Sequence, residues 1–239
     1  GGGVIGPAGR AARAAQFTRE SLERVVAHAR AIGRKEPSAI KILVEALVAS
    51  GLSMARVGSS RPASGSEHHL SHFWEMQLLQ QGRAPILHGA KVGAGAVLMA
   101  REYERVRGIR REGAIKRLEK STMPDRTRQE EEIERAYGPI AGATMESHRP
   151  FLDVSPQRFE ALKRDIVEHW AEIQQIAATV PPACALCRLL REAGGVADPR
   201  LLGLSEDQIA TALRVGHYIR NRFTVRKLEV ALGIEPLQR

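Results

Sequence analysis

Apolar residues recur along this chain at intervals of three and four, the spacing that gathers them on one face of an α-helix. Leu22, Val25, Val26, Ala29 and Ile32 form one such series, opened by Thr18 as a capping residue and stopped by Gly33. Residues 38–49 are apolar nearly all round except for Lys41 and Glu45. These two stand four apart and predict one polar stripe on a helix at the centre of a bundle. The same period predicts helices over residues 66–80, 88–106, 112–120 and 126–137, the last ending before Gly138. Ser155-Pro156 pairs an N-cap with a proline at the first helical position, and Phe159, Leu162, Ile166, Trp170, Ile173 and Ile176 then mark one long face. Ser205 with Gln208 has the form of a capping box, and Thr224 and Gly233 bracket a last helix carrying Val225, Leu228 and Leu232. No strand alternation and no internal repeat is evident, and residues 194–204 make an interhelical loop. The pattern therefore predicts an all-α, multi-helix bundle over residues 17–239, behind a Gly- and Ala-rich leader at 1–16.

With 239 residues and 43% hydrophobic content, the chain can bury a real core. No run approaches the length of a membrane span, and the opening residues lack the basic start and apolar stretch of a secretory signal, so a cytoplasmic location is expected. The net charge of +9 is scattered over helix faces and is densest at residues 105–117, while aromatics make up 4% of the chain. Stacking platforms for nucleic-acid bases are thus scarce, and a small phosphate-bearing molecule is the better anionic partner. Cys184 and Cys187 share a helix face with no second pair to complete a zinc site, and are expected to be buried and inert.

Candidate chemistry collects around histidine. Four of the eight histidines fall between positions 68 and 88: His68, His69, His72 and His88. On a helix His68 and His72 stand on one face, with His69 turned away by about 100°. A borderline divalent metal takes neutral imidazole nitrogens, and His68 and His88 can supply two. His88 opens the glycine-studded segment HGAKVGAG, where missing side chains would let its helix press against a neighbour and return His88 to His68.

At SRPASGSEHHLSHFWEM followed by LHGAKVG, and again at HYIRNRFTVRKLEVALG, the chain resembles the glycerol-1-phosphate dehydrogenases of the iron-alcohol-dehydrogenase and dehydroquinate-synthase superfamily. The resemblance runs from about Thr18 to the C-terminus. It implies the helical half of an enzyme whose other half binds NAD(P), with a divalent metal, zinc or nickel, in the helical part. By resemblance, His68 and His88 correspond to metal ligands and His72 to a histidine that contacts substrate. Arg61 matches in position a substrate-binding arginine of the dehydroquinate synthases. Lys91 joins Arg61 as a candidate for the substrate phosphate. The implied substrate is the three-carbon dihydroxyacetone phosphate. A dehydroquinate or aminocyclitol synthase is the related alternative, and a non-catalytic helical module the unrelated one.

One departure stands out. The family's third metal ligand is an aspartate upstream of the histidines, and no aspartate precedes His68 here. Neither does a strand and Gly-rich turn offer a pyrophosphate cradle, since GGGVIG follows no strand. The expectation is a chain inactive as a dehydrogenase by itself, with an exposed apolar face that favours self-association into a homo-oligomer.

Overall fold

The computed structural model describes residues 19–58 and 64–237. The leader, Thr18 and Arg61 lie outside them. Every regular element among the described residues is helical, as the apolar periodicity predicts. The helices group into two compact units, residues 1–65 with 187–197 and residues 66–186 with 198–239.

In the first unit, α1 has its described part at residues 19–27, α2 is Ala29–Gly33 and α3 is Pro37–Val57. A one-residue turn at His28 divides the run expected to be one helix, and His28 Nδ1 lies 2.7 Å from the Arg24 carbonyl. Gly33 ends α2 where a Cβ would collide with the Glu192 carbonyl, so glycine is needed there for packing as well as for stopping the helix. Expectation and structure part at α3. Ser50 and Gly51 do not interrupt it, and a 20-residue stretch, Pro37–Arg56, reaches a mean hydropathy of 1.5, long and apolar enough by length and composition to cross a membrane. It is no central helix either: Leu47 is 64% exposed and Val44, Val48 and Leu52 are each at least half exposed. Glu45 pairs with Arg24 at 3.0 Å instead of with Lys41. Uniform apolarity carries no information on which face finds a partner, and here Ala39, Ala49 and Ser53 are the buried residues among those described.

The second unit holds the main core. It contains α4 (Ser66–Gln80), α5 (His88–Arg107), α6 (Arg111–Lys120), α7 (Arg126–Tyr137), α8 (Ala141–Leu152), α9 (Pro156–Glu168), α10 (Trp170–Ala178), α12 (Glu206–Val215) and α13 (Val225–Ala231), while α11 (Ala183–Glu192) straddles the boundary. Helix α4 matches its expected bounds at both ends, and the Ser205–Gln208 capping box is formed on both sides. Ser155 caps α9 by accepting from the Arg158 amide at 3.2 Å. The long face expected to continue to Ile176 bends at His169, which ends α9 and opens α10, yet Ile166 and Trp170 on either side remain buried.

Helix α4 runs through the middle of this unit. Phe73 and Trp74 are fully buried, Phe73 meets Tyr137 edge-on at 5.2 Å, and Trp74 Nε1 donates to the Gln208 carbonyl at 3.3 Å. These aromatics are core, not walls of a site. Tyr137 in turn donates to the Val215 carbonyl at 2.8 Å, which ties α7 to the end of α12. Against α4 lies α5, and the approach is close: a Cβ on Gly95 would stand 2.9 Å from the Glu67 carbonyl oxygen. The expectation that glycines bring α5 onto its neighbour therefore holds at Gly95, whereas a Cβ at Gly89 would meet nothing within 4 Å.

The cysteines depart from expectation. Cys184 is exposed and Cys187 half-buried, both as free thiols, because the apolar face of α11 that they share is not fully covered.

Candidate active site

The close packing of α4 on α5 brings His68, His72 and His88 together. Ring centroids are 5.3 Å apart for His68–His88, 5.5 Å for His72–His88 and 6.4 Å for His68–His72. Two of the rings come from successive turns of one face of α4. The third belongs to the first residue of α5, which the helix packing returns to that face. Ser71 Oγ lies 3.3 Å from His88 Nδ1 and so links the two helices at this point.

His68 and His72 are half-buried and His88 is exposed, so the cluster opens to solvent at the start of α5. His68 Nδ1 lies 2.7 Å from Glu67 Oε1. A carboxylate can only accept, so Nδ1 carries the proton and the Nε2 lone pair is left for another partner. This carboxylate-to-imidazole arrangement is the one that orients metal-bound histidines. Desolvation, then the charges of Arg220, His88, His68 and Lys91, lower the pKa of His72, and desolvation with His68 lowers that of His88. Both shifts favour the neutral imidazole that a metal requires.

The donor set can be tested against a metal. Two imidazoles held tetrahedrally at about 2.1 Å from one ion have ring centroids roughly 5.2 Å apart. The His68–His88 spacing of 5.3 Å fits that value. Among the described residues, no group of three His, Cys, Asp or Glu side chains forms a complete ligand set. The spacing of the pair is compatible with one ion, and a third protein ligand is not found among those residues.

His69, turned away as expected, is buried with neither ring nitrogen hydrogen-bonded, and desolvation holds its pKa down at about 4. Arg61 lies outside the described residues. Lys91 requires a correction. It is fully buried, ion-paired with Glu75, and donates to the Ile86 carbonyl at 2.8 Å, so its charge is committed inside the protein and not presented to a phosphate. Burial lowers its pKa. Sequence reasoning passed over Arg220 instead: it is exposed, follows the 3-10 turn Gly216–Ile219 that packs on α4, and lies near enough to His72 to depress its pKa. The signal was present in the HYIRNRF segment, but nothing local ties that segment to the histidines.

The all-α fold is consistent with the C-terminal helical domain of dehydroquinate-synthase-like enzymes. No family model matches the chain. Among characterised proteins it is similar to the glycerol-1-phosphate dehydrogenase [NAD(P)+] of Bacillus subtilis (strain 168), 31% identical over 210 residues, which is 88% of this chain and 41% of that protein. The enzyme of the same name from Geobacillus stearothermophilus is 28% identical over 211 residues, 88% of this chain and 43% of the relative. That of Staphylothermus marinus is 44% identical over 90 residues, 38% of this chain and 24% of the relative. The chain is thus related to the glycerol-1-phosphate dehydrogenases and corresponds to a C-terminal part of them. It spans about two fifths of the length of the first two relatives.

Proposed function

We propose that this chain supplies the metal- and substrate-binding part of an NAD(P)-dependent sn-glycerol-1-phosphate dehydrogenase that interconverts dihydroxyacetone phosphate and glycerol 1-phosphate. The observation that carries the reading is the convergence of His68, His72 and His88 between α4 and α5. His68 and His88 would hold a divalent ion, zinc or nickel, through the Nε2 atoms that their Nδ1 contacts leave available. When bound, such an ion supplies Lewis-acid polarisation of the substrate carbonyl, and the nicotinamide supplies or accepts the hydride at C2. His72 would hold the C2 oxygen by a hydrogen bond, taking its proton as neutral imidazole when the alcohol is oxidised and returning it as imidazolium when the ketone is reduced. Arg220 and Arg61 are the cations proposed for the phosphate, in place of Lys91.

Calorimetric titration of this chain with zinc and with nickel tests the ligand pair. Binding should be lost in His68→Ala and in His88→Ala, and should stay within a few-fold of the parent in His72→Ala. No binding by the parent, or equal binding by all variants, refutes the assignment. The activity is tested by joining the chain to the remaining part of the Bacillus subtilis relative and following NAD(P)H oxidation with dihydroxyacetone phosphate; turnover that survives His72→Ala unchanged would remove His72 from the reaction.

A further inference from the structure

A cavity of about 340 Å³ opens among α7, α8, α9 and α13, built from residues outside the histidine cluster. Its walls are mostly apolar, with Phe151, Leu162, Phe223 and Val230 among them. Two cations line it, and their situations differ. Arg126 is neutralised by Glu130 at 2.8 Å and by Asp153. Lys227 pairs with no carboxylate among the described residues. Its ammonium instead contacts His148 Nε2 and lies 4.5 Å from the centre of the Phe151 ring and 5.0 Å from that of Tyr218. The neighbouring groups give it no countercharge: His148 and His217 are buried and have their pKa values lowered by desolvation, and Arg226 is a cation engaged with Glu229 and the Ile234 carbonyl.

We infer that this cavity binds a small amphipathic carboxylate, its apolar body against Phe151, Leu162 and Phe223 and its carboxylate at Lys227. The size lies in the range of small-molecule pockets, and few polar groups among apolar walls is their usual composition. A buried cation without a carboxylate partner is costly, and an anion entering beside it supplies the missing partner. Desolvation and Arg226 hold the Lys227 pKa down at about 7, the direction expected of a buried amine beside another cation.

The test is calorimetric titration of the chain with octanoate and with octan-1-ol, which share a tail and differ in charge. Octanoate should bind saturably and with one-to-one stoichiometry, and more tightly than octanol. Lys227→Met should weaken octanoate by about 10-fold or more, the loss expected for a charged hydrogen bond, while changing octanol by about 2-fold or less. Val230→Trp, which fills the cavity and keeps the lysine, should remove both, with circular dichroism verifying that each variant is folded. Absence of saturable octanoate binding, equal affinity for the two probes, or octanoate binding unchanged in Val230→Trp each overturns the inference. The metal titrations above are unaffected by any of these outcomes, so the two readings fail separately.

Discussion

Replacing Gly95 by alanine should loosen the site without touching a histidine. The added Cβ would stand 2.9 Å from the Glu67 carbonyl oxygen and 3.5 Å from its Cα, both backbone atoms of α4 that cannot swing aside. Relief requires α4 and α5 to separate by several tenths of an ångström, and overpacking of this kind costs about 1–3 kcal/mol. Against it stands the helix-propensity gain of alanine over glycine, about 1 kcal/mol. The net expectation is a loss of up to about 2 kcal/mol. Gly89→Ala is the control, since its Cβ meets nothing within 4 Å on the same helix and only the favourable propensity change remains. Thermal unfolding by circular dichroism should rank Gly89→Ala at or above the parent and Gly95→Ala below it. Because Glu67 immediately precedes His68, zinc or nickel affinity should fall about 10-fold or more in Gly95→Ala and stay unchanged in Gly89→Ala. Equal stability and equal metal affinity of the two variants would refute the close-approach reasoning.

Glu229 is fully buried beside Glu102, Arg105 and Arg226, and desolvation, then Glu102, raise its pKa to about 9 from an ordinary 4.5. A carboxyl whose folded pKa is raised contributes stability that is fully present below 4.5 and is lost as pH climbs toward 9. The stability of the parent relative to Glu229→Gln should therefore decline between about pH 5 and pH 9 by an amount on the order of a few kcal/mol; a pH-independent difference in urea unfolding would contradict the neutral carboxyl. Exposed Val48 and Leu52 on α3 should favour self-association, so that Val48→Lys with Leu52→Glu lowers the mass seen by light scattering, whereas an already monomeric parent would count against it. A thiol reagent should modify Cys184 before Cys187, as their exposures require, and comparable rates would contradict the orientation of α11.

The elements with local signals were legible in the sequence. Helix α4, the Ser155 cap and the Ser205–Gln208 box follow from periodicity and from hydrogen bonds made within three or four residues, which do not depend on the rest of the chain. The facing of His68 and His72 is of the same kind. Tertiary structure decided what local pattern leaves open. His88 meets the α4 pair because Gly95 permits a close helix approach, and the charge of Arg220, from the far end of the chain, acts on His72. Lys91 is drawn inward by Glu75, a partner on the preceding helix that no spacing rule connects to it. Helix α3 was expected inside and is largely exposed, since an apolar sequence states what a helix would gain by burial but not whether another surface arrives to cover it. Periodicity is written along the chain; burial and the meeting of distant side chains belong to the packed whole.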